Sequence, residues 1–373
     1  MSDGSIIVRP KVKSVLISIL IAISFVSTDL SSKIDGLQYL KYLPLGIALL
    51  FLGYSKGKIL KISRVRLEYC IPFALIVISS LLRPFQYNEF VFYSSLFIIS
   101  GFFFWLIPFE FVIKLKLINV SLFLGFFIAI ITQDVNLDFS FGALIRSETS
   151  SLESNMLPFL FGLFTIFWLI EKNNKWTIVN LIFVILSFKR IVFLGVLACF
   201  ITYFLPQKIK KILFKPYLFV IVNLLFVGIT YYISTEHFFD LTRELLGISA
   251  GHFTAGRSTF VRLVFPTIEN NPLSLIIGNG QDYLKILLTE KLGYFQHFHN
   301  DIFKLLIEHG VVVFMFFFWF LYKIPKELIL LSIFFNICMA TDNVLIYTPV
   351  VFCFAMLCYV YIGKHRLINE CER

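Results

Sequence analysis

Long apolar runs separated by short charged connections dominate this chain. Such runs lie near residues 14–30, 38–54, 67–82, 89–109, 115–132, 155–170, 176–188, 190–205, 216–234, 303–322, 327–341 and 346–362. A helix rises about 1.5 Å per residue, so roughly 20 apolar residues cross a hydrocarbon core about 30 Å thick. The pattern predicts an all-α integral membrane protein with about 12 transmembrane helices, several of them short for a full crossing. Two connections depart from the rhythm by their length, 133–154 and 235–302. The second is the largest polar region of the chain and is expected to hold short helices. No internal repeat or low-complexity linker appears, so residues 1–373 read as a single polytopic membrane domain. The first run is read as a retained span, because no small-residue cleavage site follows it.

Composition agrees with a lipid solvent. Hydrophobic residues make up 58% of the chain and charged residues only 15%, whereas soluble domains are nearer half apolar and a quarter charged. Charge placement adds orientation. Lys and Arg concentrate in short cytoplasmic connections. With the N-terminus inside and strict alternation, 21 of the 33 basic residues fall inside and 16 of the 23 acids outside. Both termini are then cytoplasmic, and both long connections are extracytoplasmic. The net charge of +10 reflects this topology, not nucleic-acid binding. Of the six cysteines, five fall in spans and Cys371 in the tail, so there is no disulfide framework and no CxxC metal spacing.

Four polar features stand out against this background. Lys189 and Arg190 sit between two apolar runs with almost no connection around them, on the face expected to be outside. Charge in such a place is costly unless it is paired or faces water or an anion; the plainer alternative is a hairpin whose basic side chains snorkel. Arg257 and Arg262 stand five residues apart on an expected helix, so they point about 140° apart. A guanidinium suits phosphate oxygens, while solvation or pairing with Glu244 or Glu269 would equally explain them. His297-Phe298-His299-Asn300-Asp301 precedes an apolar helix that Asn300 or Asp301 can cap. His299 would then sit at the helix mouth, where an imidazole exchanges protons near neutral pH. A surface histidine at a cap is the plain alternative. His-x-His also occurs in zinc sites, but no third ligand stands out here. Arg146, Glu148 and Glu153 in the 133–154 connection either pair with one another or contact a substrate. Gly278-Asn279-Gly280 reads as a turn, too short for a phosphate cradle.

Together these residues resemble the O-antigen polymerase and O-antigen ligase superfamily of bacterial envelopes. Ser187-Phe188-Lys189-Arg190 matches its serine-and-basic hairpin. Gly256-Arg257, Asn271-Pro272-Leu273 and Gly278-Asn279-Gly280 match its Gly-Arg helix, Asn-Pro-Leu run and Gly-x-Gly turn. His299-Asn300 and Glu308-His309-Gly310 match its His-Asn followed by a helix ending Glu-x-Gly. The match covers roughly residues 140–320. It departs in the hairpin, which in the family usually reads Ser-Arg directly, and in the aromatic after the helix Arg, where Phe260 or Phe265 stands in place of the common Trp.

The resemblance implies a GT-C-like glycosyltransferase of the bacterial inner membrane, with its active site at the periplasmic face. The substrate would be undecaprenyl-diphosphate-linked glycan, transferred without metal or cofactor and with inversion. Arg190 and Arg257 would stabilise the leaving diphosphate, and His299 would accept or orient the acceptor proton. Lys189, Arg262, Arg146, Asn300, Glu148 and His297 would contact diphosphate or glycan. Which of Lys189 and Arg190 takes the hairpin role stays open, with Arg190 favoured. A polymerase is expected ahead of a ligase acting on lipid A-core. A flippase for the same lipid-linked units is the competing class, although transporters usually show repeats and broken helices with charges at the midplane. A chain-length regulator and a flippase of the same pathway are the expected protein partners.

Overall fold

The computed structural model describes residues 10–30, 64–81, 113–132, 156–246, 257–269, 273–294 and 298–371, with the isolated positions 43 and 46. Every regular element among them is helical. The helices are α1 (Pro10–Leu30), α2 (Arg64–Leu81), α3 (Leu115–Thr132), α4 (Leu157–Ile170), α5 (Asn174–Leu186), α6 (Arg190–Phe204), α7 (Gln207–Leu213) and α8 (Pro216–Ile233). They continue with α9 (Glu236–Leu246), α10 (Arg257–Glu269), α11 (Leu273–Ile277), α12 (Tyr283–Leu292), α13 (Asp301–Leu321), α14 (Ile329–Met339) and α15 (Thr348–Cys371). Ten of the expected apolar runs coincide with these helices. The runs at 38–54 and 89–109 lie almost entirely outside the described residues. Among the described residues, three helices are long and apolar enough to cross a membrane: α8, α13, and α15 over Thr348–His365. The other apolar helices are shorter.

The core of this membrane protein is built around α4. Leu157 through Leu169 are all buried, as expected of a helix that is apolar on every side and surrounded by others. Helices α3, α5, α6, α14 and α15 pack against it. Gly162 lets α14 approach closely: a Cβ there would lie 2.2 Å from Phe334 Cζ. Small residues at such crossings are how helices associate without a hydrophobic drive between them. Polar glue acts nearby. Asn119 of α3 and Asn180 of α5 exchange side-chain hydrogen bonds at 2.9 and 3.1 Å, and Trp168 Nε1 of α4 donates to Asn119 Oδ1 at 2.9 Å. At the rim, α8 fully buries only Val220 and Asn223; Phe219, Phe226 and Val227 pack on the core, while Ile221, Val222, Leu224, Leu225 and Ile229 are exposed, as against lipid.

Helix α13 is broken. Gly310 adopts φ 84° and ψ 165°, a conformation open essentially to glycine alone. The break strips Ile307 and Glu308 of helical partners for their carbonyls. Asn279 and Gly280 replace them: each backbone N–H donates at 2.9 Å, to Ile307 O and Glu308 O respectively. Asn279 Nδ2 adds a bond to Ile307 O at 2.9 Å. Non-helical backbone in a spanning helix is tolerated when protein satisfies it in this way. The approach leaves no room for a side chain. A Cβ on Gly278 would lie 2.4 Å from Glu308 O, and one on Gly310 would lie 2.4 Å from Ile276 O. The Gly278-Asn279-Gly280 turn is therefore docked against the middle of a spanning helix instead of lying free in the 235–302 connection.

Candidate functional site

One end of the bundle gathers the charged hairpins. Helix α5 stops at Ser187, whose hydroxyl donates to Val184 O at 2.7 Å. Phe188 then takes a left-handed conformation, φ 54°, which turns the chain within three residues and starts α6 at Arg190. A residue in this region is uncommon unless it is glycine or asparagine. The turn sends Lys189 into the protein, where it is only 7% exposed. Its Nζ lies 3.0 Å from Asp342 Oδ2 and 4.5 Å from the centre of the Phe159 ring.

Asp342 comes from the connection between α14 and α15. Besides Lys189 it accepts a hydrogen bond from Tyr347 Oη at 2.7 Å, and its Oδ1 lies 3.6 Å from His299 Nδ1. Burial alone would raise its pKa. His299, Lys189 and Tyr347 outweigh burial together and hold the carboxyl well below the usual carboxylate range. The group is a fixed anion, enclosed by one cation, one phenol and one imidazole.

His299 stands one residue before the cap of α13. Asn300 is that cap, its side chain accepting from Phe303 N at 2.9 Å. Asp301 Oδ2 accepts from Leu345 N at 2.7 Å and so ties the start of α13 to the connection that carries Asp342. His299 is half-buried. It lines the adjoining cavity of about 190 Å³. That cavity has two unlike walls. Phe226, Thr230 and Ile233 belong to the rim helix α8, while Ser258, His299, Asn300 and Thr341 supply polar atoms. A molecule with a polar head and a lipid tail suits such a place.

The other expected residues are distributed as follows. Arg190 opens α6 beside Lys189 and is half-buried. Arg257 opens α10, next to the cavity residue Ser258; its side chain is outside the described residues. Arg262 is exposed, ion-paired with Glu236 at 2.6 Å and lying over the Phe239 ring, apart from the Asp342 cluster. That pairing differs from the Glu244 and Glu269 alternatives. Arg146, Glu148, Glu153 and His297 fall outside the described residues. Lys189, Asn300 and His299 do come together. Asp342 was not among the candidates, since an anionic substrate calls for cations. Its signal was a lone carboxylate in the four-residue connection expected on the same face as Lys189. Tyr347 carried no comparable signal.

Fold and site describe an all-helical protein with helices able to cross a membrane and a pocket at one end that joins polar residues to apolar residues of α8. Residues 175–318 match the family model described as O-antigen ligase. The match, over less than half of the chain, is consistent with the O-antigen polymerase and ligase superfamily. The segment runs from α5 to the last turn of α13 and so contains the Lys189 hairpin, α10, His299 and the broken helix. No curated protein and no solved structure gave a significant match.

Proposed function

We propose that the protein is a polysaccharide polymerase of the bacterial inner membrane. It moves a growing glycan from undecaprenyl diphosphate to a sugar hydroxyl of a new lipid-linked repeat unit, at the periplasmic face. The observation that carries this reading is His299, backed by the buried Asp342 and opening on a cavity that shares a wall with α8. A carboxylate facing Nδ1 favours the tautomer with Nε2 basic and would stabilise the imidazolium once it forms.

In the proposed step the acceptor oxygen attacks the anomeric carbon and its proton passes to His299 Nε2. The bond from that carbon to the carrier diphosphate breaks with its electron pair, and the anomeric centre inverts. Arg190 and Arg257 stabilise the departing charge as fixed cations. Lys189 acts differently: its partner is Asp342, so it holds the anion that orients His299. Asn300, with Arg146, Glu148, His297 and Arg262, belongs to glycan or diphosphate contact in this scheme. A ligase reading, transfer to lipid A-core, is favoured by the description of the matching family.

The test is a polysaccharide gel on a deletion strain complemented with variants. Arg190→Ala, Arg257→Ala and His299→Ala are each expected to abolish long chains while the protein remains in the membrane. Unchanged ladders from all three would remove the site assignment. The deletion itself separates the readings. Single repeat units on lipid A-core indicate a polymerase. Polymer retained on the carrier indicates a ligase, and repeat units trapped facing the cytoplasm indicate a flippase.

A further inference from the structure

At the opposite end of the bundle, where Glu171 pairs with Lys364, lies a second and larger cavity of about 570 Å³. Lys172, Lys210, Lys211, Lys215 and Lys326 line it, against the single carboxylate of Glu327. The glycan transfer uses none of them. Lysines scattered by the orientation rule alone would spread over a face. These converge on one concavity from separate segments: the α4–α5 turn, α7, the α7–α8 link and the short turn before α14.

The surroundings say what kind of ligand reaches this cavity. Helix α7 has no buried residue, and its Ile209, Ile212 and Leu213 are 43%, 60% and 39% exposed. A short helix with lysines and outward aliphatic side chains lies along a membrane surface. Phe204, just before it, is 74% exposed. Lys210 bends back to the Tyr203 carbonyl and lies 5.3 Å from that ring's centre. The cavity therefore joins an excess of ammonium groups to apolar walls at bilayer level. Ammonium groups on flexible stems act as point charges suited to a phosphate that can rotate.

We propose that this cavity binds the phosphate headgroup of an anionic phospholipid from the adjoining leaflet. The lysines take the phosphate, and the exposed face of α7 lies beside the acyl chains.

The experiment uses the full-length purified protein in zwitterionic detergent, with phosphatidylglycerol and phosphatidylcholine as probes in native mass spectrometry. Phosphatidylglycerol should bind in preference and remain bound in excess inorganic phosphate. The triple variant Lys210→Gln/Lys215→Gln/Lys326→Gln should weaken it by about 100-fold, at roughly five-fold per lysine. The matched triple Lys175→Gln/Lys208→Gln/Lys323→Gln removes the same charge outside the cavity and should weaken it by less than about ten-fold. Normal glycan ladders from both triples would show that they fold and that the transfer site is intact. Equal loss in the two triples would overturn the proposal in favour of diffuse surface charge. Displacement by inorganic phosphate, or equal binding of phosphatidylcholine, would also overturn it.

Discussion

Replacing Lys189 by methionine keeps the bulk of the side chain and removes its charge. The carboxylate of Asp342 is then left with Tyr347 and His299 in a site where its side chain is only 9% exposed. Breaking a buried pair from one side costs about 3–5 kcal/mol, and the two surviving partners place this case at the lower end, about 3 kcal/mol. Asp342→Asn strands the ammonium instead, with the Phe159 ring 4.5 Å away as partial compensation, so a smaller loss is expected. The double variant leaves no charge stranded and should be more stable than the sum of the two losses implies, by a coupling of about 2 kcal/mol. Thermal unfolding of the purified protein reads this. At the low end of about 2 °C per kcal/mol, Lys189→Met should unfold roughly 6 °C early, and the double variant should recover a good part of that. Because the Asp342 carboxyl is held below its ordinary range, the contribution is fully present above about pH 4 and fades only as the pH falls through the depressed value. The difference between wild type and variant should therefore persist at neutral pH and above. Strictly additive losses would refute the pairing. Recovered polymer synthesis in the stable double variant would refute the role given to Asp342 behind His299.

Two further outcomes follow from the packing. Gly278→Ala or Gly310→Ala drives a Cβ to within 2.4 Å of a carbonyl oxygen at a positive φ, so each should lose about 3 kcal/mol or more from combined overpacking and backbone strain. Near-wild-type membrane levels and melting for either would contradict the docked turn. Asn119→Leu removes one member of the Asn119–Asn180–Trp168 network and should cost about 1–2 kcal/mol. In the same melting assay, an unchanged midpoint would mean that the network adds nothing.

The sequence showed clearly what repeats and poorly what depends on contact. The helices α1, α3, α4, α6 and α8 fall within a few residues of the apolar runs that predicted them, since a span is a property of local composition. The hairpin at Lys189 was visible because two cations in an apolar stretch are costly. Its partner was not, because Asp342 lies 153 residues away and a lone acid in a short connection looks like any solvated turn. Arg262 shows the reverse case. Its type suited phosphate, and the structure adds a partner the spacing did not show, Glu236 on a neighbouring helix. The break in α13 was hidden for a different reason. Gly310 sits in an apolar run, and a single glycine there reads as small packing until Gly278 is seen against it.

That contact divides the pocket into a fixed wall and a yielding one. The His299 side belongs to the buried joint: Asn300 caps α13, Asp301 is tied to Leu345, and the same helix is riveted to Asn279 and Gly280 a few turns further on. The yielding part is α10. It borders the cavity with Ser258, Phe260 and Val261, while two of its polar anchors, Arg262 to Glu236 and Leu263 O to Lys291, are exposed to solvent. Widening the mouth for a bulkier glycan would thus be taken up by α10, while the distance from imidazole to carboxylate stays constant. Under the proposed reaction, acceptor fit and proton transfer would then fall to separate parts of a single pocket.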